Sequence, residues 1–497
     1  MKTLRLVLVS FLICSAAFAA SPTSTNNDDT CDVKVGPAAT LLLPYFEVDV
    51  SGNTGQTTLF TVTNVTRYPQ IAHVTLWTDY GFPTIAFNIF LTGYDVQGIN
   101  LADLLIRGSI APPSGTSPAT TPGSLSVANT GNPNLRSPLD CSTNPSQIPQ
   151  TIAAALRTTF TTGLSTDGSC TGVGGTHANA IGYATIDLVA SCTLRSPADP
   201  LYYTTDILFD NVLIGDYQQI GPHPDGVPAS SFDAGGNPMV HIRAVPEGGG
   251  AGSNVGTALP YTFYDRYTPA ARRTLDRRQP LPATYATRFI QGGTNGLATN
   301  LTIWREGFGS GSCTDAKGSA AMPVAEVVRF DEHENPFTVS PVFCTCLPQI
   351  AMLPVTSSTS SASGQFPALA TVDVGGWLYL NLSNGGSTTY SVTTDIGGVP
   401  GPTNTRTALA PIGSTTTIGP RPSQAWATVT MFGTLGTNRM TAEFDAASLG
   451  NGCSPAAFQS GTVPIGPAGG ALVCPPNTTL TNGSTTQCTG TNVNPIP

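Results

Sequence analysis

The densest run of acids is Asp331-Glu332-His333-Glu334-Asn335, directly after Val327-Val328-Arg329-Phe330. Carboxylates at the end of a strand can stand at the mouth of a cleft, where they do acid–base work or bind Ca²⁺ through oxygen. Neighbouring strand residues point to opposite faces, so Asp331 and Glu332 do not naturally form a dyad. A carbohydrate-active hydrolase needs two carboxyls about 5–10 Å apart in a groove, and these can come from separate strands without any local motif. Its candidates here are Asp331, Glu332, Glu334 and Glu306, the last close to Trp304. The plainer reading of the acidic run is a solvated turn.

The basic counterpart is Arg266, Arg272, Arg273, Arg277 and Arg278. Arginine grips planar anions through two parallel hydrogen bonds, so Arg272, Arg273, Arg277 and Arg278 are candidates for binding a carboxylate, a sulfated glycan or an acidic partner. The competing expectation is pairing with the chain's own acids, Asp265 and Asp276 among them. Trp77 and Trp304 are the aromatic binding candidates, because an exposed ring on a sheet stacks on sugars or on a protein partner. Alternating aromatics are also the ordinary content of a core.

Other catalytic signatures are missing. The chain has no Gly-x-Ser-x-Gly elbow, no phosphate-binding Gly-Lys-Ser/Thr and no His-Glu-x-x-His. His73, His177, His223, His241 and His333 lack metal-ligand spacing, so no resident metal or cofactor is expected, although the scattered acids are compatible with Ca²⁺. Asn64, Asn300, Asn381, Asn477 and Asn482 each open an N-x-Ser/Thr acceptor pattern.

Cysteine usage and the first residues place the chain outside the cytoplasm. Lys2 and Arg5 precede the apolar run Leu6 to Ile13, and Ala17-Phe18-Ala19 forms a cleavage site. Residues 1–19 therefore read as a secretory signal, too short to span a membrane. Loss of Cys14 with that leader leaves ten cysteines: Cys31, Cys141, Cys170, Cys192, Cys313, Cys344, Cys346, Cys453, Cys474 and Cys488. An even number in an exported chain reads as disulfides, with local pairs such as Cys170–Cys192 and Cys474–Cys488 expected. Cys344-Thr345-Cys346 lacks the second pair that a zinc site needs.

The elements that must carry these groups are strands. Residues 58–66, 71–78 and 84–92 are short β-branched runs parted by Pro and Gly turns, the spacing of a sandwich or barrel. Further strands are expected at 181–189, 206–214, 239–245, 284–291, 299–304, 324–331, 368–382, 388–394, 425–432 and 439–446. Ile148, Ile152, Leu156 and Phe160 predict one helix from Pro149 to Thr162 that stops at Gly163. Shorter helices are expected after Asn100 and from Thr268-Pro269 to Asp276.

The resulting picture is mainly β: antiparallel sandwich domains, immunoglobulin-like or jelly-roll-like, with one or two short helices and long loops. The leader is followed by a flexible stretch at 20–31 and a β region at 32–106. A Pro/Ser/Thr-rich segment spans 107–148, and a β-rich region spans 149–350. A Ser/Thr linker at 351–364 precedes a C-terminal sandwich at 365–450 and a cysteine-bearing tail at 451–497.

Composition agrees. The 497 residues carry only 10% charged side chains, and Gly (53) with Pro (42) make up about a fifth of the chain, which excludes coiled coils and helical solenoids. A net charge of −9 argues against nucleic-acid binding. A secreted, periplasmic or cell-surface protein with a binding or structural role follows, with an extracellular protein or glycan as partner, self-association open through sheet edges, and no integral membrane insertion. The alternative is the secreted carbohydrate-active hydrolase.

Overall fold

The computed structural model describes residues 35–52, 55–110, 126–128, 148–193, 195–197, 201–221, 235–244, 262–264, 276–306, 322–338, 346–347, 350–355, 373–384, 424–435 and 438–449, with Val33 and Asp199. The leader, the tail, Arg272, Arg273 and the cysteines Cys31, Cys141, Cys313, Cys344, Cys453, Cys474 and Cys488 lie outside them. So do most of the segments at 107–148 and 351–364, nearly all of the expected 268–276 helix and the expected 388–394 strand.

Burial patterns explain the first two sheets. β2 (Thr57–Asn64) alternates buried and half-buried residues, as a strand with one wet face must. It lies in the antiparallel order β5-β2-β8-β9, with β5 at Val96–Asn100, β8 at Leu213–Ile220 and β9 at Gly235–Pro238. By contrast β1 (Thr40–Val48), β3 (Gln70–Thr78), β4 (Pro83–Leu91) and β7 (Ala180–Val189) are buried almost throughout, because both faces of their sheet are covered. That sheet runs β10-β1-β7-β3-β4-β6, with β10 at Val240–Ile242 and β6 at Ser126–Ala128. Leu41, Leu43, Phe60, Val62 and Tyr217 share the core between the two sheets.

The helix α1 (Gln150–Thr162) closes the same core with Ile152, Leu156 and Phe160, and the Phe160 ring meets Phe46 edge-on at 5.3 Å. It ends where expected. Gly163 has φ 67° and its N–H returns to the Thr159 carbonyl, a left-handed stop that favours glycine. The short helix expected after Asn100 is a π-helical turn at Asp103–Arg107. Of the strand expected at 206–214 only the last two residues lie in a strand, β8, and a second π-helical turn, Tyr202–Asp206, ends at Asp206.

A second set of sheets follows. Its larger member runs β14-β13-β17-β11-β20, made of Pro336–Thr338, Met322–Asp331, Gly375–Asn384, Thr284–Ile290 and Ala447–Ser448, with β15 (Cys346–Leu347) attached to β13. The smaller runs β16-β12-β18-β19, made of Ile350–Val355, Ala298–Arg305, Ala425–Leu435 and Asn438–Asp445. The protein is thus mainly β, with several antiparallel sheets that do not close into barrels.

Pairing crosses the boundaries expected from composition. β7 sits between β1 and β3, so residues 32–106 and 149–350 share one sheet. β17 and β18 pair with β11, β13 and β12, so residues 365–450 do not close a sandwich by themselves. The stretch 351–364 opens as strand β16, because Ile350, Ala351 and Leu353 are buried against β12. The cause is the same each time. Composition marks loops, whereas strand partners are chosen by long-range packing.

The two sets share a core. The Trp77 and Tyr183 rings stack at 5.8 Å, Tyr183 meets Trp304 edge-on at 5.9 Å, and Phe263 stacks on Trp304 at 5.7 Å. Each such pair adds about 0.5–1.5 kcal/mol beyond its burial. A buried polar hub reinforces the joint. Asp187 on β7 accepts hydrogen bonds from Thr40 (2.5 Å), Tyr202 (2.6 Å) and Tyr264 (2.7 Å), and the Arg278 guanidinium lies 3.5 Å away.

Cys170 and Cys192 are each disulfide-bonded, but the expected bridge between them is corrected by the register. Cys170 packs on Phe82, at the Thr78 end of β3, whereas Cys192 follows Val189, which faces Ile71 at the other end. Seven strand residues separate those ends by roughly 23 Å, and a disulfide joins Cα atoms less than about 7 Å apart. No bridge lies wholly among the described residues.

Candidate functional site

The turn after β13 assembles the acids differently from a catalytic groove. Asp331 accepts hydrogen bonds from the His333 and Asn335 backbone N–H groups and from the Asn335 amide, at 2.8–2.9 Å. The Asn335 hydrogen bonds hold its pKa below the usual carboxylate value. Glu334 adopts φ 63° within the same turn and is exposed. Glu306 is buried far from this turn, at the end of β12, where its backbone N–H bonds to Gln424. The four hydrolase candidates are therefore not brought together.

Two binding expectations are corrected as well. Trp77 and Trp304 are 0% and 3% exposed, so neither ring has a face for a ligand; both form the joint described above. Arg277 and Arg278 are buried too. Arg278 pairs with Asp276 at 3.4 Å and with Asp187, donates to Thr40 Oγ1 and to the Leu208 carbonyl, and Arg277 lies over the Phe209 ring. Burial alone lowers the Arg278 pKa, but Asp187 and Asp276 together raise it. Burial raises the pKa of Asp276. Low exposure makes these arginines internal counter-ions rather than a surface grip. Asn64 and Asn300 are buried as well, and the Asn64 amide donates to the Tyr68 and Thr92 carbonyls; neither presents a glycan acceptor.

The outer face of the β13-β17-β11 sheet carries the exposed aromatic and the charged pair that Trp77, Trp304 and the arginine run do not supply. Register places Phe330, Trp377 and Arg288 side by side across three strands. Trp377 is 43% exposed, although period-two alternation on β17 puts Leu378, Leu380 and Leu382 in the core. The Arg288 guanidinium lies 5.1 Å from the Trp377 ring centroid, and its Nη2 reaches both Glu332 oxygens at 2.6 and 2.8 Å. About half of each charged side chain remains exposed, so the ion pair adds at most about 1 kcal/mol. It does fix a donor and an acceptor beside an exposed indole. Glu332, a catalytic candidate by sequence, positions Arg288 here. Trp377 escaped the sequence-based selection, although a tryptophan among alternating leucines was the available signal.

A second constellation lies at the seam between the two sets of sheets. Glu443 and Asp445 are two apart on edge strand β19 and so share a face, with Cα atoms about 7 Å apart. The Tyr217 hydroxyl of β8 donates to Glu443 Oε1 at 3.3 Å, and the Asn237 amide of β9 donates to Asp445 Oδ1 at 3.0 Å. The Trp426 indole N–H reaches the same Asp445 oxygen at 3.1 Å. Burial pushes Glu443 up to about 7; the Tyr217 hydrogen bond opposes this and the Asp445 charge adds to it. Burial also pushes Asp445 up to about 6, against the hydrogen bonds from Trp426 and Asn237. Among the described residues no Arg, Lys or His forms an ion pair with either.

A cavity of about 410 Å³ opens on the outer face of β5-β2-β8, lined by Leu59, Phe60, Ile99 and Ile110 with Asp103 and Asp216 among its polar groups. Its lining is mostly apolar. Asp103 is paired with Arg107, and Asp216 accepts from Thr61. No group of three or more His, Cys, Asp or Glu side chains suited to a metal occurs among the described residues, and no helix among them is long and apolar enough to cross a membrane. No family model, no curated protein and no solved structure matches the chain.

Proposed function

We propose that this is an exported, disulfide-braced protein, built on immunoglobulin-like or jelly-roll-like sandwich packing, whose role is to bind glycans outside the cell. One observation carries the reading: the half-exposed Trp377 ring flanked by the Arg288–Glu332 pair on an open sheet face. The flat apolar face of a sugar ring stacks on an indole, and a guanidinium and a carboxylate side by side meet its hydroxyls as donor and acceptor. Two oxidised cysteines and the leader-like first residues support export.

A glycan array probed with the mature chain tests this. Binding is expected, and Trp377→Ala is expected to weaken it about tenfold or more, since a buried aromatic contact carries about 1–3 kcal/mol. Binding unaffected by Trp377→Ala overturns the assignment of this face. The hydrolase alternative is less supported, because Asp331, Glu332 and Glu334 share one exposed turn while Glu306 is buried at the end of β12, and product release from the same array would restore it.

A further inference from the structure

We infer that Glu443, Asp445 and Thr428, together with Asn237 and Tyr217 from the first set of sheets, form an oxygen-ligand site for a calcium-sized divalent cation at the seam.

The argument begins with register. Thr428 on β18 is the direct cross-strand partner of Asp445, so the two side chains share a face of the sheet, and Glu443 lies on that face two residues away. Thr428 is 1% exposed, and its hydroxyl has no hydrogen-bond partner. It stands beside the Tyr217 phenol, whose pKa is raised by burial and by the Glu443 and Asp445 charges, with Thr428 and Asn237 opposing in smaller measure. A buried, unpartnered hydroxyl costs about 1–3 kcal/mol, and this one shares a sheet face with two carboxyl groups that form no ion pair with a cationic side chain among the described residues. Apart from the Trp426 indole N–H, which donates to Asp445 Oδ1, the side-chain polar atoms named here are oxygens or lie one amide rotation from one. The Asn237 amide, turned by 180°, presents Oδ1 in place of Nδ2. Among the described residues no thiolate or imidazole joins the group to favour a softer metal.

Such a set suits Ca²⁺, which takes 6–8 oxygens at about 2.3–2.6 Å, accepts hydroxyl, amide and water ligands beside two carboxylates, and tolerates irregular geometry. Mg²⁺ demands a near-ideal octahedron and holds its waters. Both acids remain partly exposed, so the ion has a route in and room for water. The residues come from β8, β9, β18 and β19, so an ion here would clamp the first set of sheets to the second. This inference stands apart from the glycan-binding face, which lies on the other sheet of the second set.

Tb³⁺ luminescence is the direct probe, because the Trp426 indole adjoins Asp445 and sensitises a bound lanthanide. The mature chain excited at its tryptophans is expected to show Tb³⁺ emission that Ca²⁺ displaces and Mg²⁺ does not. Its melting temperature is expected to rise by about 3 °C or more from chelator to millimolar Ca²⁺. Glu443→Gln is expected to weaken Ca²⁺ at least about tenfold, and the double variant Glu443→Gln/Asp445→Asn is expected to abolish both signals. Absence of sensitised emission from the wild-type chain overturns the site, whatever the variants do. Emission and thermal response that persist in the double variant overturn it as well.

Discussion

The protonation of Glu443 and Asp445 gives this protein an unusual dependence on pH when no metal is bound. Burial holds both groups well above their ordinary values, at about 7 and about 6. The folded state therefore binds protons more tightly than the unfolded chain, so stability from these groups is full below the unfolded values and is lost as pH rises through about 6 to 7. A tenfold difference in proton affinity is worth about 1.4 kcal/mol, and partial exposure reduces the combined effect to about 2 kcal/mol. Thermal melts in chelator should show a falling melting temperature between pH 5 and about 8. Glu443→Gln should flatten the upper part of that curve and raise stability at the alkaline end. A flat wild-type profile would contradict the buried placement of the pair.

Little of this residue chemistry was legible in the sequence. Two acids at i and i+2 on a strand look like a solvated face. Their environment comes from Tyr217, 226 residues upstream of Glu443, and from Asn237, 208 residues upstream of Asp445. Trp77 and Trp304 failed as binding candidates for a related reason. A tryptophan in an alternating strand presents one pattern whether its face is wet or covered, and the covering residues Tyr183 and Phe263 lie far along the chain. The arginine run, by contrast, did reveal its partner Asp276, because that acid is adjacent.

At the scale of elements the sequence was far more informative. Ladder-forming alternation located β2, β3, β4, β7, β11, β12, β18 and β19 to within a few residues, and α1 was placed almost residue for residue. Local rules suffice there, because apolar periodicity and a terminating glycine act within a few residues of the element they shape. The end of α1 offers a clean test. Gly163 combines left-handed φ with a close approach: a Cβ there would stand 2.1 Å from the Gly174 carbonyl oxygen. Gly163→Ala should cost about 1–3 kcal/mol, read as a lower melting temperature in the metal-free protein. An unchanged melting temperature would show that the loop carrying Gly174 moves aside freely.

For the whole molecule, the consequence of shared sheets and a shared core is that the parts depend on one another. β17 has its ladder partners in β11 and β13, and β18 pairs with β12 on one side and with β19 on the other. Residues 365–450 expressed alone should accordingly lack a cooperative transition by circular dichroism, whereas 276–450 keeps both sheets of the second set. A sharp two-state melt of the shorter fragment would refute the pairing. The compositional break at 351–364 that suggested a separate C-terminal sandwich begins inside strand β16, and a chain can leave a sheet and return to it without leaving its core.

The central place of β7 has a consequence in time. The two strands it joins, β1 and β3, are complete by residue 78, but the strand between them begins at residue 180. Until about 190 residues have emerged, the middle of the sheet is a gap lined by unsatisfied backbone groups. High contact order of this kind slows folding into the millisecond-to-second range, so a newly made chain stays loose and threadable long after its first strands exist.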